Sequence, residues 1–142
     1  MKRIFGLLIT VVMVFGFSVQ AHATLILRGT DTLSNQLIYD DDLNITWYDN
    51  MKSLDRWQDR VNWADALSVT FGSNTYTDWR LPTTVDGPWV WGYDGTTTAG
   101  HNITSSEMGH LFYSELGNKG YYDTSGNYQP GYGLTNKGPF TA

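Results

Sequence analysis

Cysteine is absent from all 142 residues. That absence excludes thiol nucleophiles, thiolate metal sites and iron–sulfur clusters. It also excludes the disulfides that staple many small exported domains. Basic charge is scarce as well, with nine Lys/Arg against fourteen Asp/Glu. So acidic a balance repels nucleic acid, heparin-like polyanions and anionic membranes. No serine sits in a Gly-x-Ser-x-Gly elbow, and there is neither a His-Glu-x-x-His pair nor a phosphate loop. Carboxylates abound, but a glycosidase needs two of them held at a set separation, and an acidic surface produces adjacent pairs by chance.

Long apolar runs are missing too, with one exception at the start. Lys2 and Arg3 precede an apolar stretch from Ile4 to Val19, and Ala21-His22-Ala23 follows with the small-x-small pattern of a signal-peptidase site. A membrane-spanning helix needs roughly 20 apolar residues, and this run is shorter. Residues 1–23 therefore read as a cleaved signal peptide, and the product as periplasmic, extracellular or surface-associated. There is no twin arginine and no cysteine to take a lipid, so no membrane insertion is expected after cleavage. Loss of Lys2 and Arg3 leaves seven Lys/Arg against fourteen Asp/Glu, a formal charge of −7.

What is plentiful is aromatic. Six Trp, nine Tyr and six Phe supply core material for a domain without staples. After a lead-in over 24–34, Leu37-Ile38-Tyr39 and Ile45-Thr46-Trp47-Tyr48 flank a turn-rich Asp40-Asp41-Asp42-Leu43-Asn44, which predicts a hairpin. Ser53 reads as an N-cap. Leu54, Trp57, Val61, Ala64 and Leu67 then recur at helical spacing, predicting an amphipathic helix that ends before Gly72. Residues 73–83 read as loop, a short extended stretch and a stop at Pro82, with Leu81 extended before the proline. Residues 84–104 have no period and read as a long loop. Thr104 and Glu107 form a capping box for a second helix with Met108, Leu111, Phe112 and Leu116 as its apolar face and Gly117 as its stop. Residues 117–142 are a Gly/Tyr-rich loop or tail of a composition compatible with disorder. The expected class is α+β.

Four phrases together carry a family resemblance: Leu37 to Trp47, Val61-Asn62-Trp63-Ala64-Asp65-Ala66-Leu67, Asp78-Trp79-Arg80-Leu81-Pro82-Thr83, and Ser106 to Tyr113. In order and spacing, residues 35–142 resemble the exported bacterial domain named after the C-terminal domain of the Lcl adhesin. The resemblance implies a C-type-lectin-like fold, two helices packed on a small antiparallel sheet, in surface or matrix proteins that often carry a PEP-type sorting signal. Members usually continue into a Trp-Ser-Gly strand and a final Trp-Ala-Val-Arg strand, whereas this chain ends at Ala142. Against the family it therefore reads as truncated, with terminal strands missing. The adhesin is linked to sulfated polysaccharides, which fits poorly with a charge of −7.

Each candidate site has a plainer reading. Asp40, Asp42 and Asn44 alternate like the first half of a calcium-binding EF-hand loop. Ile45 stands where that loop needs glycine and Met51 where it needs a bidentate glutamate, so an ordinary hairpin turn is preferred. Glu107 and His110 have di-iron Glu-x-x-His spacing, but the motif occurs once, and an exposed i,i+3 pair is the simpler expectation. The Asp78, Trp79, Arg80, Leu81, Pro82 phrase could clamp a carboxylate through Arg80. The preferred role is structural, with Trp79 in the core and Arg80 paired with an acid or with loop carbonyls. Trp89, Trp91 and Tyr93 are either a flat platform for sugar rings or a cap on the core. The leading expectation is a non-catalytic module binding carbohydrate or a surface protein, without a cofactor. A truncated, non-functional remnant comes next. An enzyme comes last, since lectin-like folds can host oxidative chemistry but the thiol route is gone.

Overall fold

The computed structural model describes residues 24–50, 53 and 56–141. The signal-peptide segment 1–23, Met51 and Leu54 lie outside these residues. Among those described, no helix is long and apolar enough to cross a membrane.

The expected hairpin forms as β2 (Gln36–Asp40) and β3 (Ile45–Asp49), antiparallel, with Leu37 opposite Tyr48 and Ile38 opposite Trp47. Asn44 takes a positive φ of 53° in the turn, where asparagine is better tolerated than branched residues. The lead-in is more than a lead-in. Its Leu25–Thr30 forms β1, an edge strand on β2 that carries a register shift between Leu27 and Gly29. The order is thus β1-β2-β3, with β2 in the centre. Both Leu37 and Ile38 of β2 are buried although they point to opposite faces, so this strand is covered on two sides.

On one side, helix α1 (Trp57–Asp65) brings Trp63 and Ala64 over a cavity of about 740 Å³, lined also by Leu37, Tyr39 and Trp79. The helix is shorter than its apolar spacing suggests. Arg56, not Ser53, is its N-cap, and the Asp59 carboxylate accepts the Arg56 backbone N–H at 3.3 Å. Trp57, expected on the packed face, is 66% exposed in the first turn. The helix ends at Asp65 because Val69-Thr70-Phe71 is β-branched and aromatic. It pairs as β4 (Val69–Phe71) with β5 (Asn74–Tyr76) across a Gly72-Ser73 turn, Gly72 supplying φ of +60°.

On the other side lies the second helix, also displaced from expectation. Ser106, not Thr104, caps it, with its hydroxyl accepting the Gly109 N–H at 3.0 Å. One turn of α2 (Glu107–Gly109) passes into a π-helix over His110–Glu115, and Gly117 ends it at φ of +62°. The wider turn rotates side chains relative to an α-helical wheel. Leu111 and Leu116 are buried, while Met108, predicted on the same face, is exposed.

The 84–104 loop contains a two-residue parallel pairing of β6 (Trp91–Gly92) with β7 (Ala99–Gly100). The Gly/Tyr-rich tail is irregular but held. Buried Asn118 accepts from the Thr135 and Asn136 backbone N–H groups through Oδ1 and donates from Nδ2 to the Asn136 carbonyl. Asp49 of β3 accepts both the N–H and the hydroxyl of Thr141, at 2.7 and 2.9 Å. These side-chain bonds do what apolar burial does not, so the segment's disorder-like composition misleads. Among the described residues the protein is α+β: small, mainly antiparallel sheets with two helices.

Candidate functional site

Trp89, Trp91 and Tyr93 stand on the loop around β6, and the pairing with β7 is what places them. The Ala99 N–H donates to the Val90 carbonyl and the His101 N–H to the Gly92 carbonyl, each at 3.0 Å. At Gly100, φ of +113° and the approach of the Gly92 carbonyl leave no room for a Cβ. Trp91 and its neighbours thus sit on a stiff two-strand rung.

The rings do not stand alone. Trp89 lies 6.2 Å from Trp91, and Trp91 meets the edge of His101 at 5.5 Å. His101 stacks on Tyr93 at 5.8 Å and touches Tyr122 at 5.1 Å. From Tyr122 the contacts pass to Tyr121 at 4.7 Å, and from Tyr121 to Tyr128 and Tyr132 at 5.2 and 4.6 Å. Tilted and edge-on packing at these separations is the favoured geometry for aromatic pairs. The result is a continuous track of rings joining the 88–102 loop to the C-terminal segment. Trp89 is 79% exposed and Trp91 53%, and Tyr93, Tyr121, Tyr128 and Tyr132 are exposed too. Of the two expectations for the tryptophans, the cap on a core does not fit such exposure.

Polar groups lock the track. Asn102, at φ of 59°, donates from Nδ2 to the carbonyls of Tyr93 at 2.7 Å and Tyr122 at 3.0 Å, clipping the two loops together. Asp94 accepts from the Thr96 N–H and hydroxyl, and Asp123 from the Ser125 and Asn127 N–H groups. In both, the backbone hydrogen bond is the largest cause of a carboxyl held below its usual range. Both acids therefore stay ionised and committed to their turns. The sequence reading missed His101 and the tail tyrosines. The adjacent Tyr121-Tyr122 and the tyrosine density after Gly117 were the available signal.

The Asp78–Pro82 phrase lies elsewhere. Trp79 is partly buried, 5.3 Å from Tyr48 and donating its indole N–H to the Tyr76 carbonyl. Arg80 grips Glu107 in a two-pronged pair, both contacts 2.6 Å, and donates a third bond to the Leu81 carbonyl. Glu107 accepts the Thr83 N–H as well, at 2.8 Å. The Arg80 hydrogen bonds are the main reason that the Glu107 carboxyl is held down to about 2. An arginine so engaged is not free to clamp a ligand. The expectation that Glu107 and His110 share a solvated face is overturned. Glu107 is 13% exposed and turned to Arg80, whereas His110 faces Asp42 and Glu115. The calcium-like alternation divides likewise. Asp40 accepts from Leu43 N–H and the Trp47 indole, while Asn44 accepts from the Tyr39 hydroxyl.

Comparison with protein-family models, with curated proteins and with solved structures returns no match for this chain.

Proposed function

We propose that this protein is an exported, non-catalytic binding module of lectin-like type, and that the Trp89–Tyr132 ring track is its carbohydrate-binding surface. The observation that carries the reading is exposure: Trp89, Trp91, Tyr93, Tyr121, Tyr128 and Tyr132 stand in water, linked through half-buried His101 and Tyr122, and exposed aromatic patches mark recognition surfaces. Sugar rings present flat C–H faces that stack on aromatic faces, and hydroxyl edges that find nearby amides. The formal charge of −7 expected after signal cleavage favours uncharged polysaccharides over sulfated ones. The family resemblance of the Asp78–Thr83 and Ser106–Tyr113 phrases and the α+β arrangement support a lectin-like fold. The Lys2–Ala23 pattern supports export.

A second reading puts the ligand in the cavity between the sheet and α1. Its favouring observation is the lining by Trp47, Trp63, Phe71 and Trp79. The two are separable. The full chain, expressed into a bacterial periplasm and purified, is run through affinity gels containing neutral glucan, mannan or xylan, and a sulfated polysaccharide. Retardation by a neutral polymer that Trp89→Ala and Trp91→Ala each sharply reduce is the expected result. Retention of binding in both variants moves the site to the cavity. No retardation of well-folded protein in any gel sinks both readings.

A further inference from the structure

The end of the central strand β2 carries a cluster that the ring track does not use. Asp40 at the end of β2 is fully buried. His110 and Glu115 open and close the π-helix. One ligand atom from each lies within 4.8 Å of the other two, and His110 Nε2 is 3.1 Å from Glu115 Oε1. The π-turn makes this possible. In an α-helix, residues five apart point about 140° away from each other, whereas the wider π-turn brings them back to one side.

The charges do not balance. Asp40 and Glu115 face one imidazole, with the Asp42 carboxylate a further 3.4 Å from the same Nε2. The Glu115 side chain is 1% exposed, and its Oε2 has no hydrogen-bond partner among the described residues. A buried carboxylate oxygen without a donor is costly, and native proteins meet that cost with a proton or a cation.

We propose that Asp40, His110 and Glu115 form a binding site for one divalent first-row transition-metal ion of the zinc type. The donor set decides the class. One imidazole nitrogen with two carboxylates suits zinc, with water or Asp42 completing a four-coordinate shell. Calcium would want six to eight oxygens. Ligand atoms of a tetrahedral zinc site, each about 2 Å from the ion, stand roughly 3.4 Å apart, so a pair now as much as 4.8 Å apart closes by at most about 1.4 Å on binding. A metal ion on Nε2 would leave the imidazole proton on Nδ1. The proposal is independent of the carbohydrate reading.

The test uses the full chain, stripped with EDTA and dialysed, with Zn²⁺, Co²⁺ or Ca²⁺ added back. The expected result is a midpoint rise of about 8–13 °C at a zinc concentration near 100 times the dissociation constant, a stoichiometry of one, and an intense visible Co²⁺ spectrum. Glu115→Gln and His110→Gln should each abolish the zinc response, and His110→Gln carries the test if the buried Glu115 variant does not fold. Absence of both the shift and the Co²⁺ spectrum overturns the proposal. So does a response that survives in the folded variants, or one given by Ca²⁺ and not by Zn²⁺.

Discussion

Glu107→Gln should separate the two halves of this domain's scaffold. The side chain joins the second helix to a segment 27 residues earlier through two 2.6 Å contacts with Arg80, and it also holds the Thr83 N–H. A hydrogen bond to a charged group contributes about 1.5–3 kcal/mol when shielded. The Arg80 side chain is 51% exposed, so solvent screening brings the two Arg80 contacts together down to about 2 kcal/mol. For a domain of this length that is a fall of roughly 6–10 °C in midpoint. Arg80→Ala should lose a similar amount, and the double variant little more than either, a coupling of about 1–2 kcal/mol. Urea unfolding of the four proteins measures it. The pH dependence supplies a second readout. Because Glu107 is lowered from 4.5 to about 2 on folding, its contribution is present above pH 4.5 and lost as the pH falls towards 2. Glu107→Gln should flatten that part of the acid limb. Single variants each within about 0.5 kcal/mol of the parent, with no coupling, would refute the reasoning.

Two further outcomes follow from particular contacts. Tyr48 donates to Asp31 at 2.6 Å, and burial first, then Asp31, pushes its hydroxyl up to about 12. Ultraviolet titration should therefore show a late tyrosinate step near that pH, which Tyr48→Phe removes. Its contribution to stability is present below pH 10 and lost as the pH rises towards 12. Gly100→Ala should cost about 2–4 kcal/mol, since strain at φ of +113° adds to the clash with the Gly92 carbonyl. It should also weaken polysaccharide retention by misplacing Trp91, seen by denaturation and affinity gels side by side.

Legibility followed the range of the interactions. The β2–β3 hairpin was plain because its signals are local: β-prone runs around an Asp/Asn turn. The middle of α1 showed in the spacing of Val61 and Ala64, but its start did not, because Arg56 and Asp59 cap it in place of Ser53 and leave Trp57 exposed. β1 was invisible because an edge strand is defined by its neighbour, and Leu25–Thr30 lacks clean alternation. The π-helix was hidden too, since its extra residue per turn mimics an α-helical pattern with the wrong faces. At the site, Trp89, Trp91 and Tyr93 stood out by type. Their continuation through His101 and the tail tyrosines depends on Asn102 bonding to Tyr122, 20 residues later, a contact with no local signature. Glu107 and His110 looked like one pair in the sequence and belong to two separate clusters.

The most direct measurement of the central claim is a tryptophan-fluorescence titration of the folded chain with neutral oligosaccharides, repeated in Trp89→Ala and Trp91→Ala. Stacking a sugar on about 100 Å² of exposed Trp89 is worth roughly 2.5 kcal/mol at most, so its loss should weaken binding by about 10- to 60-fold while leaving stability within about 0.5 kcal/mol. A saturable spectral change that shrinks with each variant is the result the account predicts. Unchanged affinity in both variants, or no saturable change with oligosaccharides of a polymer that retards the parent protein in gels, would contradict it.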